Sequence, residues 1–185
     1  MSAFWKNLKN ALLSAPDNNL SATAVPAAVL LPILDSNPKQ MLLTRRSADL
    51  KDHAGQVAFP GGRVEKGESF DAAALREAAE EVGLNPKQAE ILGFLPTLTT
   101  GTGFSIVPVV AKISAPFDFE RDTFEVAEIF SVPLDFLMNP KNHKKHRIFL
   151  EGQMREFWAM PYHGYFIWGA TAHILRELYN CQNPR

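Results

Sequence analysis

The sequence predicts a mixed α/β sandwich, and three observations carry that prediction. Apolar runs of strand length open the chain's first third, one helix-period segment interrupts them at Phe70 to Val82, and a second helix-period segment closes the chain. At 185 residues, with 46% hydrophobic and 21% charged side chains, the chain has the composition of an ordinary globular domain and enough length for a full core.

Phe4, Trp5, Leu8, Ala11 and Leu12 recur at helical spacing, with Lys6, Asn7, Lys9 and Asn10 between them. This predicts an amphipathic helix packed against the domain; a helix lying on a membrane surface is the other reading of such a stretch. Lys9-Asn10 interrupts any apolar run a signal peptide would need. Residues 1–20 are therefore read as helix plus connector, and 21–185 as one domain. Val25 to Leu34 is too short for a membrane span and holds two prolines, so it reads as a buried strand, and no stable membrane insertion is expected.

Ala24 to Leu34 and Gln40 to Arg45 read as strands around the turn Asp35-Ser36-Asn37-Pro38, and Gln56 to Phe59 as a short strand ended by Pro60-Gly61-Gly62. Ser69 caps the helix that follows and Gly83 ends it. Ile91 to Leu98 and Phe104 to Ile113 are expected as strands, followed by a shorter one after Glu128 and a short helix from Pro133 to Leu137. A hairpin is expected from Arg147 to Leu150 and Glu156 to Met160, and a closing helix from Tyr165 to Tyr179. A formal net charge of −1 gives no bulk footprint for nucleic acid. The lone Cys181 excludes an intrachain disulfide and fits a reducing, cytoplasmic address.

Glu77, Glu80 and Glu81 stand at i, i+3 and i+4, so their carboxylates share one helix stripe and repel one another unless something neutralises them. Mg²⁺ or Mn²⁺ binds such clusters; three glutamates alone would also suit a solvated acidic face. Arg76 can reach Glu80 or the earlier Glu68, which follows a glycine-containing run that lets backbone approach a metal or phosphate.

Gly62, Glu68 and Arg76-Glu77-Ala78-Ala79-Glu80-Glu81-Val82-Gly83-Leu84 together resemble the Nudix box at every charged and glycine position. Ala78 departs from it, where a larger aliphatic residue is common. The resemblance implies the Nudix fold, an α/β/α sandwich around a mixed sheet with the box as loop-helix-loop. It also implies metal-dependent hydrolysis of a nucleoside diphosphate linked to another moiety. By the same resemblance Glu77 and Glu81 are the metal ligands, Glu80 is a third ligand or orients water, and Glu68 with Arg76 forms the ion pair holding the helix.

Upstream, Leu42-Leu43-Thr44-Arg45-Arg46-Ser47, Lys51, His53, Gly55 and Phe59-Pro60-Gly61-Gly62 resemble the signature of the coenzyme A diphosphatase subfamily, with Lys51 where an arginine is expected. This implies a small-molecule substrate, coenzyme A or a derivative, contacted by Arg45, Arg46, Ser47, Lys51, His53, Gly61 and Gly62; the sequence itself does not choose between a monomer and a homodimer. His53 either bonds a phosphate or caps its loop. Tyr165 to Ala172 resembles the subfamily's C-terminal helix, with Trp168 expected in the core. The box does not name the general base. Glu80 is one candidate, and Glu125 and Glu128, at the start of a segment expected to loop over the site, are others. ADP-ribose, NADH or a nucleoside triphosphate are the rival substrates, and a non-catalytic nucleotide sensor is the rival outside enzymes.

Overall fold

A computed structural model of the chain describes residues 2–17, 19–50, 52–150 and 152–184. The elements run α1 (Ala3–Ala11), β1 (Val25–Leu34), β2 (Gln40–Arg46), β3 (Val57–Ala58), β4 (Gly61–Arg63), α2 (Phe70–Val82), β5 (Ala89–Phe94), β6 (Leu98–Thr99) and β7 (Phe104–Ile113). They continue with β8 (Val126–Pro133), α3 (Leu134–Leu137), β9 (Lys144–Leu150), β10 (Gln153–Tyr162), β11 (Tyr165–Trp168) and α4 (Gly169–Gln182).

Strand β1 is the axis of the main sheet. It runs parallel to β7 from Val25↔Phe104 to Leu34↔Ile113. Its other edge pairs antiparallel with β4 near its start and with β2 near its end. β8 adds to β2 and β5 to β7, so the sheet is mixed. Both faces are covered, which explains why β1 reads as a continuous apolar run rather than an alternating one. Leu30 and Leu34 face α2, where Ala73, Ala74, Ala78 and Val82 meet Val107, Val109 and Ala111. Leu31 and Ile33 face the opposite layer, with Trp5 and Leu8 of α1 and Ile174, Leu175 and Leu178 of α4. This is the expected α/β/α sandwich. A separate antiparallel sheet, ordered β11-β10-β9, extends from the α4 side. Among the described residues no helix is long and apolar enough to cross a membrane.

The N-terminal helix packs against the domain. Trp5 and Leu8 are buried, the Trp5 indole N–H donates to Asp35 at 3.1 Å, and Leu13 bridges to Phe94. The central helix begins at Ser69, whose hydroxyl accepts from the Ala72 N–H, and ends at Gly83 in the left-handed region.

Four expectations need correction. Gly61-Gly62 is not a breaker but part of β4, where a Cβ at position 61 would lie 2.6 Å from Val29 Cα; only glycine permits that approach. The strand expected from Ile91 to Leu98 is divided, because the stretch carrying Pro96 separates β5 from β6. The closing helix begins at Gly169, since Tyr165 to Trp168 forms a strand pairing with β10. The aromatic and β-branched run there suits a pleated surface, and the spacing of Ile167 to Ala170 and Ile174 fits a helix equally well. Finally, Trp168 is 37% exposed and not part of the core.

Candidate active site

Three elements build the site: the edge strand β4, the glutamate-bearing stripe of α2, and the end of β2. Arg76 organises them. Its Nε and Nη2 donate to the two Glu68 oxygens at 3.0 and 3.1 Å, the planar two-pronged match of guanidinium to carboxylate. Its Nη1 donates to Glu77 at 2.9 Å and Glu80 at 3.3 Å, and Nη2 also donates to the Arg63 carbonyl at 3.1 Å. One side chain thus ties α2 to β4 and to the loop between them. The Arg76 bonds hold the Glu68 carboxyl below its usual range, and the Glu68 and Glu77 carboxylates raise the guanidinium's own pKa further.

The three glutamates of the stripe differ sharply in environment. The Glu80 side chain is 61% exposed, whereas Glu81 is 4% exposed. Glu81 receives a Gly61 N–H at 3.3 Å and faces Arg46 Nη1 at 3.9 Å, too little to replace water for a buried anion. Burial is the main cause that pushes its carboxyl up to about 8; Arg46 opposes this, while the Glu125 and Glu77 charges add to it. Burial also raises Glu77, against the pull of Arg76. Gly62 makes this proximity possible, because a Cβ there would sit 2.5 Å from the Glu77 carboxyl carbon.

A divalent cation suits this arrangement. Glu77 and Glu81 present hard oxygen donors, and the buried Glu81, with Arg46 no nearer than 3.9 Å, is short of counter-charge that such an ion supplies. Among the described residues, no three His, Cys, Asp or Glu side chains converge as a ready-made cage. Mg²⁺ commonly needs no such cage, since it takes one or two carboxylates and completes its shell with water and substrate oxygens.

The remaining residues singled out from sequence divide into two groups. Arg46 joins the carboxylate cluster, and its Nε is buried without a hydrogen-bond partner among the described residues, a donor beside Glu81. His53, at φ 57°, contacts Gln56 through Nδ1 at 3.1 Å and lines a groove of about 1040 Å³ with Arg46, Gly61 and Gly62. The groove meets the glutamates through these glycines and Arg46, which border it on one side and touch Glu77 and Glu81 on the other. Arg45 goes elsewhere. An irregularity in the β2–β8 register falls between Arg45 and Arg46, and Arg45 pairs with Glu128 at 3.1 Å. Ser47 is buried, its hydroxyl accepting from the Asp49 N–H, which is a turn-holding position. Lys51 lies outside the described residues.

Glu128 does not start a loop over the site. It lies in β8, opposite Arg45 in register, and accepts from the Tyr165 hydroxyl at 2.6 Å. Glu125 lies in the preceding turn segment, near enough for its charge to raise both Glu77 and Glu81. That segment is tied down by backbone bonds from Glu120 to Val82, from Asp122 to Glu81 and from Ser47 to Glu125. Sequence reasoning missed the aromatic part of the groove lining, where Phe157, Trp158 and Trp168 stand. The only local signal for it was the aromatic density of β10 and β11.

The comparisons with known proteins agree with this geometry. The NUDIX domain family model matches residues 24–152. A Nudix hydrolase of Citrobacter koseri named NudL, itself uncharacterized, is 43% identical over 153 residues, covering 82% of this chain and 80% of that protein. A NudL of Salmonella paratyphi B is 41% identical over the same shares. Among solved structures, a C. elegans Ap4A hydrolase complex aligns with TM-score 0.52 and 25% identity over 59% of this chain and 80% of that one. A Deinococcus radiodurans protein aligns with TM-score 0.57 over 88% of each chain; at 17% identity it speaks for the fold alone. The chain belongs to the Nudix hydrolase family.

Proposed function

We propose that this chain hydrolyses the pyrophosphate bond of coenzyme A or a derivative, giving 4′-phosphopantetheine and adenosine 3′,5′-bisphosphate, with Mg²⁺ or Mn²⁺ as cofactor. The observation that carries this reading is the position of Arg46. It belongs to the coenzyme A diphosphatase-like patch, borders the large groove, and stands 3.9 Å from the buried Glu81. The patch that suggests the substrate thus adjoins the carboxylates that suggest the chemistry.

In this reading Glu77 and Glu81 hold the ion, with Glu80 as a third ligand or the residue that orients water. When bound, the ion stabilises charge on phosphoryl oxygens and lowers the pKa of a coordinated water. Arg76 holds the glutamate stripe against β4 and Glu68, and Arg46 offers a donor to a phosphate oxygen. Arg45 and Glu128 neutralise each other, so neither is assigned a direct role. The proton acceptor is then Glu80 or Glu125, and comparing E80Q with E125Q separates them: only loss of the acceptor flattens the acid limb of the kcat profile.

The test is incubation with Mg²⁺ or Mn²⁺ and coenzyme A, ADP-ribose, NADH or dGTP, with products identified by mass. Coenzyme A cleavage to the two named products supports the assignment. Cleavage of ADP-ribose without coenzyme A overturns the substrate and leaves the reaction class standing. Nucleotide binding with no cleavage of any of the four overturns the enzymatic reading itself.

A further inference from the structure

The three tryptophans occupy three different environments. Trp5 is 2% exposed with its N–H donated to Asp35. Trp158 is covered by the Arg176 guanidinium, 3.6 Å from the ring centroid. Trp168 is open at 37% exposure, and it lines the same groove as Arg46 and the Gly61-Gly62 pair.

The register of β10 and β11 explains how an indole comes to stand there. Trp168 lies opposite Ala159, whose small side chain leaves space across the strand pair. Phe157, which also lines the groove, meets Trp168 with centroids 5.5 Å apart and planes at 66°. Phe166 flanks Trp168 at 6.4 Å. Trp168 and Phe157 therefore form a corner, and a flat ring entering it can stack on one while meeting the other edge-on. Both arrangements are favourable for π systems. A nucleobase is flat and stacks on any such face, whereas a flexible chain gains nothing from the angle.

We infer that Trp168, with Phe157 at its edge, seats the base of a nucleoside diphosphate derivative whose phosphates reach Arg46 and Gly61-Gly62. The inference rests on the proposed reading only in placing the phosphates at the glutamate end of the groove. It holds for any base-bearing nucleotide substrate, so Trp168 is a substrate-binding residue that acts on binding and not on the chemical step.

The experiment is calorimetric binding of AMP, with ribose 5-phosphate as the control lacking a base, to wild type, W168A and W168F. Trp168 is exposed, and circular dichroism checks that each variant is folded. W168A is expected to weaken AMP about tenfold, within the range of one base–aromatic stack, while W168F keeps most of the affinity. Ribose 5-phosphate binding stays the same throughout. With the substrate that wild type cleaves, W168A raises KM and leaves kcat near its original value. Unchanged AMP affinity in W168A overturns the inference, as does equal weakening of AMP and ribose 5-phosphate. Weakened binding of a long-chain acyl coenzyme A with AMP unaffected also overturns it and assigns the corner to an apolar chain. If coenzyme A is not cleaved but AMP binding depends on Trp168, the substrate reading falls and this inference stands. If coenzyme A is cleaved and W168A is indifferent, the reverse holds.

Discussion

Replacing Trp5 by alanine tests whether the N-terminal helix belongs to the same cooperative unit as the site. Trp5 is 2% exposed and packs in the core layer with Leu31, Ile33 and α4. A buried indole removes roughly 200 Å² from water, about 5 kcal/mol at 25 cal/mol per Å², and measured losses for such truncations are about 3–5 kcal/mol. The variant also loses the 3.1 Å bond to Asp35 and the ring beneath the Lys39 ammonium, 4.8 Å from its centroid. We expect about 4 kcal/mol of destabilisation, a large share of the ~5–15 kcal/mol by which domains are stable. Trp5→Phe keeps an aromatic ring beside Phe4 but leaves Asp35 one donor short, so about 1–2 kcal/mol is expected. Urea unfolding followed by far-UV circular dichroism measures both, with turnover per folded molecule unchanged well below the midpoint. A loss under about 1 kcal/mol for Trp5→Ala, against the several kcal/mol such truncations cost, would refute the reasoning and make the helix an independent appendage.

Four further outcomes are expected. Gly62→Ala drives a methyl into the Glu77 carboxyl, so kcat falls about a hundredfold, as for an ångström of misplacement, while circular dichroism stays native. Glu81→Gln removes a ligand of the proposed ion: turnover drops about a hundredfold or more and AMP still binds, as calorimetry would show. Arg76→Lys loses the fork that spans Glu68 and Glu77, and hydrogen exchange in 64–69 quickens as kcat falls. Burial works to raise the Asp35 carboxyl, but bonds from Lys39, Trp5 and Lys112 outweigh it and hold the pKa below the ordinary value. Its folded value therefore lies below its unfolded one, so this stabilisation is present above the ordinary carboxylate range and is lost as pH falls through the folded value. Asp35→Asn should be less stable than wild type near neutrality, and the gap should close in acid; a gap constant with pH in urea titrations contradicts this.

What was legible in the chain followed physical locality. Helix α2 could be read because its cap, its apolar period, its terminator and its charged stripe all lie within one contiguous stretch, Ser69 to Gly83. The strand at Val25 to Leu34 was readable from its uninterrupted apolar run. What failed depended on partners distant in sequence. Gly61 and Gly62 look like a flexible loop until Val29 and Glu77 are placed against them. Adjacent arginines at 45 and 46 alternate in direction along β2, but only partners distant in sequence show that one meets Glu128 and the other Glu81. Tyr165 to Trp168 fits two periodicities, and pairing with β10 decides between them.

The parallel pairing of β1 with β7 also bears on how the protein comes into being. Strands β2 and β4 and helix α2, which carry Arg46, the glycine pair and the glutamates, are synthesised between these two strands, with Glu125 following β7, yet β1 lacks its main neighbour until Ile113 has been made. Closing so long a loop is slow compared with forming a local hairpin or helix. During synthesis, α2 can coil early but has only part of its sheet to pack upon. Hydrolytic competence should therefore emerge late and all at once, leaving a partly made chain no means of cutting nucleotides.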